Sequence, residues 1–390
     1  MLTVITNLFP TPENPTRGLY NLQLFHELHH QTELRCIVPV ANSNPLKRNP
    51  IQVWQHNSPF SVRYIPYCHI PRVGRNISWR LLSHALAKST PHPPNTPILA
   101  SWLYPDGTAT AHRFGKTSPV WIMVLGTDRF HLQHPIRRKT ILRNDQQVAG
   151  YICVAQNIAD DLTTAGISPH KIHIIPNGVD TKRFHPIDTS KAIEQLNDNP
   201  EFQKLQNASH PKTPAYILWV GNLVKIKAPE LAIESYAEFR KSQNSNLHLV
   251  IIGDGPLRPK LRKHISRLKL EKQIHLIGRQ CHQELPYWIN AAESLLLSSQ
   301  SEGMPNIIAE AIACGIPTIA TDVGACCTML SNQPCTAIAP PNNTKALALA
   351  LTSVIQNAAE NQARPIFTRT WSDMATDILA LINSHQPVQS

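Results

Sequence analysis

Short apolar runs alternate with stretches whose apolar positions recur every three to four residues, along nearly the whole chain. Runs of four to eight apolar residues bounded by turn residues predict strands, and the periodic stretches between them predict crossover helices. In the first half the strands fall at Leu2–Phe9, Leu34–Val40, Val62–Tyr67, Ile98–Trp102, Val120–Leu125, Val148–Val154 and Ile172–Ile175. The helices between them fall at Tyr20–His30, Ile77–Lys88, Ile136–Asn144 and Asn157–Ala165. From about Ile187 to Pro214 the text turns polar and ends in Pro-Lys-Thr-Pro, which predicts a linker with a helix at Ser190–Asn197. A second series follows, with strands at Tyr216–Val220, Leu247–Ile252, Ile274–Ile277, Ser294–Ser298, Thr318–Ala320 and Thr336–Ile338. Its helices fall at Pro229–Lys241, Leu257–Leu268, Leu285–Ala292, Ile307–Cys314 and Lys345–Asn357. Strict strand–helix alternation predicts an α/β chain of two doubly wound parallel sheets, with the ligand in a cleft at their strand ends.

Composition narrows this picture. A chain of 390 residues suits two domains, each of about 150–200 residues. No apolar run reaches the roughly 20 residues that span a bilayer. The first residues lack a basic segment and are interrupted by Pro10 and Pro12, so they predict a core strand and not a signal peptide. Eight cysteines without Cys-x-x-Cys spacing predict buried thiols in a reducing cytoplasm and no metal site. The net charge of +11 favours an anionic partner: nucleotide phosphates, nucleic acid or an acidic membrane. A nucleic-acid partner is not expected, because neither a recognition module nor interleaved aromatic platforms are present. Arg72, Arg75 and Arg80 surround Ile77, Trp79, Leu81 and Leu82, and Arg137, Arg138 and Lys139 stand near Arg143. These clusters suit an interfacial helix on an anionic bilayer; a solvated face is the alternative.

Residues 301–317, beginning Ser-Glu-Gly-Met-Pro-Asn, carry the strongest chemical signal. They follow a buried strand and open a helix, so backbone N–H groups near Gly303, Met304 and Asn306 stand at a helix N-terminus, a natural anion site. Glu302 precedes that helix and Glu310 lies inside it. One carboxylate can hold sugar hydroxyls and the other ribose hydroxyls; a helix-start charge and a solvated helix residue are the alternatives. At Trp219–Lys227 a strand ends in Gly221 and Asn222, then presents Lys225 and Lys227, cations suited to a leaving diphosphate. Gly253 and Asp254 end the next strand, and Arg279 ends the one after. In the first half, Gly18 precedes the first helix, where its N–H can meet phosphates. Asp128 ends a strand as a candidate for substrate hydroxyls or for a cap, and Asp106 reads as a helix cap.

The pair Glu302 and Glu310, with Ala313–Pro317 and Ala320–Gly324 after them, resembles the signature of retaining glycosyltransferases of family 4, the group 1 glycosyltransferases. Lys171–Phe184, with its Pro176-Asn177-Gly178 turn, resembles that family's interdomain crossing, and the resemblance spans nearly the whole chain. It implies the GT-B architecture: a Rossmann-like acceptor-side domain over 1–187, joined by a C-terminal helix at 366–390, and a nucleotide-sugar domain over 188–365. It implies a nucleotide-sugar donor, UDP- or GDP-linked, with no cofactor and no metal; no Asp-x-Asp triplet occurs. The acceptor would be a saccharide or a lipid-linked saccharide in polysaccharide or glycolipid synthesis. The protein would be cytoplasmic, or peripheral on the inner membrane face. Glu302 would contact the donor sugar, Glu310 the ribose and Lys227 the diphosphate, with Asp128 at substrate hydroxyls. Gly18, Gly221, Asn222, Gly253, Asp254, Arg279, Gly303, Met304 and Asn306 would line the donor. The sequence departs from many members at Asn222, where arginine is common, and at Leu125, where histidine is common. An epimerase-like enzyme and an inactive nucleotide-sugar-binding relative are the competing readings.

Overall fold

The computed structural model describes residues 1–42, 55–70, 72–89, 92–208, 215–243, 246–360 and 363–385. The chain divides into two units, Met1–Gly178 with Thr370–Ser390, and Val179–Arg369. The boundary therefore falls after Gly178, ahead of the 187 expected from composition.

The first unit contains β1 (Leu2–Ile5), α1 (Leu19–Gln31), β2 (Leu34–Asn42), β3 (Ser61–Cys68), α2 (Ser78–Ser89), β4 (Ile98–Ala100) and α3 (Thr108–Phe114). It continues through β5 (Val120–Val124), α4 (Pro135–Asn144), β6 (Gly150–Cys153), α5 (Gln156–Ala165) and β7 (Ile172–Ile174). Its seven strands are parallel in the order β3-β2-β1-β4-β5-β6-β7. The apolar runs are unbroken because helices cover both sheet faces: all five residues of Val120–Val124 are buried. The order reverses between β1 and β4, which makes their carboxyl ends the crevice where such sheets bind ligands.

The second unit contains α6 (Thr189–Leu196), α7 (Pro200–Ala208), β8 (Tyr216–Val220), α8 (Pro229–Ser242), β9 (His248–Ile252), α9 (Arg258–Arg267) and β10 (Ile274–Gly278). It continues through α10 (Leu285–Asn290), β11 (Ser294–Leu297), α11 (Asn306–Ala313), β12 (Thr318–Thr321), α12 (Cys326–Leu330), β13 (Thr336–Ala339) and α13 (Thr344–Glu360). Its six strands are parallel in the order β10-β9-β8-β11-β12-β13, with the switch between β8 and β11. The final helix α14 (Trp371–Ser384) returns to the first unit. A capping box between Thr370 and Asp373 starts it, and Trp371 meets Tyr20 of α1 at 6.2 Å between ring centroids.

The expected helix at Ser190–Asn197 is present as α6, but the rest of the expected linker is corrected: a second helix, α7, follows it, and both are fastened to the second unit. Asn290 accepts from the Ile187 N–H at 2.8 Å ahead of α6, and Phe202 of α7 packs edge-on against Trp288 at 5.3 Å. Residues 209–214 of that stretch lie outside the described residues.

The apolar residues of the expected interfacial helix divide: Trp79 and Leu82 are buried, with Trp79 edge-on against His112 at 5.0 Å, Leu81 is half-buried, and Ile77 is exposed. Arg138 donates to the Ala165 carbonyl at the end of α5, and Arg137 donates to Asn76. Lys139 and Arg143 remain exposed, and the side chain of Arg72 lies outside the described residues. Among the described residues no helix is long and apolar enough to cross a membrane. All eight cysteines are free thiols, but the expectation of uniform burial fails: Cys68, Cys281 and Cys327 are exposed.

Candidate active site

The switch point of the second sheet gathers three of the predicted segments. After β8 the chain turns through Gly221 and Asn222 into a short 3-10 turn, Lys225–Lys227, and then enters α8. After β11 it runs through Ser298–Pro305 into α11. Two bonds hold these loops together: Gln300 N–H donates to the Ile226 carbonyl at 2.7 Å, and Ser298 Oγ donates to the Ala228 carbonyl at 2.8 Å. Trp219 Nε1–H in turn donates to Ser298 Oγ at 3.0 Å.

This clamp brings Lys227 Nζ to 2.6 Å from Glu302 Oε1. Ser299 Oγ donates to the same oxygen at 2.6 Å, and the buried Thr321 hydroxyl holds the Ser299 carbonyl at 2.6 Å. The Glu302 side chain is 10% exposed and that of Lys227 is 29% exposed, so the pair stands at the rim of the protein with ammonium protons left for a ligand. Beside it, Gly303 is pinned from behind: its carbonyl accepts from Ala325 N–H at 2.8 Å. Gly324 (φ +60°) makes that approach possible, because a Cβ there would lie 2.3 Å from the Gly303 oxygen. Met304 is buried, and Asn306 opens α11. Cys326 sits close to Glu302; burial, and then the Glu302 charge, push its thiol up to about 12, so it stays protonated and unreactive.

Glu310 is not a solvated helix residue. It is 3% exposed, and its Oε1 lies 3.9 Å from His282 Nε2. Burial, and then the Arg183 guanidinium, lower the His282 pKa. Arg183 can only donate, so His282 Nδ1 accepts from it at 2.8 Å and Nε2 carries the proton facing Glu310. His282 was not singled out in the sequence, and Arg183 was read there only as part of the Lys171–Phe184 crossing, without a role of its own.

The glycine-rich edge beside this pair is set by backbone packing. Gly253 N–H donates to the Gly278 carbonyl at 2.8 Å, and Gly221 N–H donates to the Ile252 carbonyl at 3.0 Å. Arg258 donates to the Leu276 carbonyl at 2.8 Å, a bracing role the sequence did not reveal. Asp254 accepts from the Gly255 N–H, and its side chain is 50% exposed. Arg279 is exposed after β10, and the Asn222 carbonyl accepts from Val224 N–H.

The first unit treats its predicted residues differently. Gly18 has φ +66°, and a Cβ there would fall 2.2 Å from the Leu8 carbonyl oxygen, so its own chain already accounts for the glycine. The reading of Asp128 as a substrate contact is corrected. Asp128 is fully buried, and its carboxylate accepts from the backbone N–H groups of Leu103, Leu125 and Gly126 at 3.1, 3.1 and 2.9 Å. Asp106 does not cap α3 either: it is buried, and its Oδ2 accepts from Asn7 N–H at 2.6 Å.

Burial raises the Asp106 carboxyl to about 6 from an ordinary 3.8. A carboxyl raised in the folded state favours folding fully below its ordinary pKa, and that contribution fades as pH climbs through about 6. Asp106→Asn keeps an acceptor for Asn7 and removes the buried charge. It is expected to raise stability at pH 8, by at most about 3 kcal/mol, with no gain at pH 4. Denaturant melts at the two pH values check this; an equal change at both would show that the buried charge is not the cause.

Among the described residues no group of three or more His, Cys, Asp or Glu side chains gathers as a metal site. Two doubly wound sheets in one chain, the second carrying an acid–lysine pair and a buried glutamate around one helix start, define a GT-B protein. The family model for glycosyl transferases group 1 matches residues 200–367, and that for glycosyltransferase family 4 matches residues 53–183. The two matches together support a group 1 glycosyltransferase. Sucrose-phosphate synthase from Thermosynechococcus elongatus shares the fold with a TM-score of 0.75 and 18% identity, over 98% of each chain. HepE from Anabaena, in complex with UDP and glucose, shares it with a TM-score of 0.68 and 16% identity, over 98% of this chain and 99% of that one. D-inositol 3-phosphate glycosyltransferase of Jonesia denitrificans is 25% identical over 263 residues, 63% of this chain and 60% of that protein. An N-acetylgalactosaminyltransferase of Campylobacter jejuni acting on a diphospho-undecaprenol-linked sugar is 30% identical over 167 residues, 43% of this chain and 39% of that one. The matched stretch thus spans 60% or less of these curated relatives.

Proposed function

We propose that this chain is a retaining glycosyltransferase that moves a sugar from a UDP- or GDP-linked donor to a saccharide or lipid-linked acceptor. In this reading it is a cytoplasmic, metal-independent enzyme of surface polysaccharide or glycolipid synthesis. The observation that carries the reading is the 2.6 Å Lys227–Glu302 pair at the β8/β11 switch point, beside the N-terminal end of α11. A diphosphate at this helix start would meet backbone N–H groups and the Lys227 ammonium together. Glu302 would receive donor-sugar hydroxyls and Glu310 the ribose. The bond from the anomeric carbon to the diphosphate oxygen breaks, and the acceptor oxygen bonds that carbon on the same face. The acceptor proton leaves with the departing phosphate. Preorganised donors at the leaving oxygen supply the stabilisation, since no protein nucleophile stands out. The HepE complex with UDP and glucose supports a uridine donor by analogy of fold.

The test is a thermal-shift screen across UDP-, GDP- and ADP-sugars. One donor class at about a hundred times its Kd is expected to add about 2.7 kcal/mol of stability. Labelled sugar from that donor should then reach an acceptor in a membrane extract, and Glu302→Gln should abolish the label. If no donor raises the melting temperature, the reading is lost. Binding without transfer would favour the inactive relative.

A further inference from the structure

A pocket of about 660 Å³ opens at the carboxyl ends of β1–β4 in the first unit, across the switch point between β1 and β4. That volume lies within the range of about 300–1,000 Å³ typical of small-molecule sites. Its lining includes Arg17, Arg75 and Arg137 with Tyr67, Tyr104 and Trp102. Two of the guanidiniums are oriented by neutral partners. Arg17 donates to Asn7 Oδ1 at 2.8 Å. Arg137 donates to Asn76 Oδ1 at 3.1 Å and to His131 Nδ1 at 2.8 Å, and lies 5.7 Å from the Tyr104 ring centroid. Burial, and then Arg137 itself, hold His131 at about 4, so it is a neutral acceptor.

None of the three arginines forms an ion pair with a carboxylate among the described residues. The lining carries one acid, Glu13, and the buried Asp106 offsets part of the Arg17 charge. Positive charge fixed in a concave wall and left without a counter-ion attracts anions. Guanidinium forks match the oxygens of phosphate and carboxylate, whereas neutral hydroxyls gain little from them.

We propose that this pocket binds the acceptor through an anionic group, a phosphate, held by Arg17, Arg75 and Arg137. The word acceptor rests on the transferase reading; the anion site itself is measured without it. The phosphate can belong to a soluble sugar phosphate or to a lipid-linked sugar.

The test is calorimetric titration of the full chain with UDP present in excess, using a hexose 1-phosphate, the parent hexose, and a polyprenyl-phosphate-linked hexose in micelles. At least one phosphate is expected to bind about tenfold or more tighter than the hexose. Arg75→Gln is expected to weaken that phosphate about tenfold, with partial recovery in Arg75→Lys. Arg75 is exposed, so its replacement should spare the fold, and unchanged UDP affinity shows that the second unit is intact. Binding in the soluble arm alone assigns a sugar phosphate, binding in the micellar arm alone assigns a lipid, and either upholds the site. The proposal is overturned if the hexose binds as tightly as both phosphates, or if Arg75→Gln and Arg137→Gln bind phosphate like the wild type. Loss of UDP binding in the wild type would instead strike at the donor reading and leave the phosphate comparison standing.

Discussion

Lys227→Ala is expected to lower the turnover of sugar transfer by about 10²–10³-fold, the usual loss when one preorganised donor at a developing anion is removed. Lys227 is the cation that the loop clamp places at the switch point, 2.6 Å from Glu302 and partly open to solvent. Its removal has two consequences. On the proposed donor placement, the leaving diphosphate would lose its ammonium, and Glu302 would face the donor as an uncompensated anion. The double variant Lys227→Ala with Glu302→Gln separates them. If Lys227 only neutralised Glu302, the double variant would recover donor affinity. If Lys227 acts on the diphosphate, the double variant binds the donor as poorly as the single one. Lys227→Arg, which restores charge with a different shape, should recover donor binding more than turnover. Steady-state rates with single-turnover transfer make the measurement. A Lys227→Ala variant with wild-type turnover would remove the pair from the chemistry.

How much of this was legible in the sequence depended on what each segment buries. Tyr216–Val220 was readable residue for residue, because five apolar residues stand between turn signals and both sheet faces are covered. Helix α7 was hidden because only Phe202 and Leu205 anchor it, in otherwise polar text. A helix start after Asp106 was legible, but the extent of α3 was not, because Thr-Ala-Thr-Ala has no amphipathic contrast, although all four residues are buried. In the site, Glu302, Glu310 and Lys227 were readable because strand-end text and the family resemblance fix their place. The hydroxyl supports of Ser298, Ser299 and Thr321 were not, because short polar residues at strand ends look the same whether they brace a loop or face water. Asp128 failed for a related reason. A carboxylate that satisfies three N–H groups after a strand and one that meets a substrate have the same sequence, and only burial separates them.

Gly253 shows the same ambiguity, and Gly253→Ala is expected to cost about 3 kcal/mol or more of stability. Its φ of +140° is a conformation that side-chain-bearing residues rarely adopt, and a Cβ would fall 1.9 Å from the Gly221 carbonyl oxygen. That oxygen is backbone and cannot swing aside, so the β8 and β9 loops must part. The second unit should then melt about 10 °C lower, at the few degrees per kcal/mol typical of domains this size. Gly221→Ala is the matched comparison. Its Cβ would come no nearer than 3.2 Å to the Trp219 ring, which costs the fold far less. If these loops also cradle a diphosphate, the two variants should fail differently. Gly253→Ala should lose stability and, through the displaced β8 loop, donor binding as well. Gly221→Ala should keep most of its stability and lose donor binding alone. Calorimetric melting with and without the donor reads both quantities. Equal, small losses of stability in the two variants would mean that the close approach of Gly253 to Gly221 is not what fixes the loop ahead of Lys227.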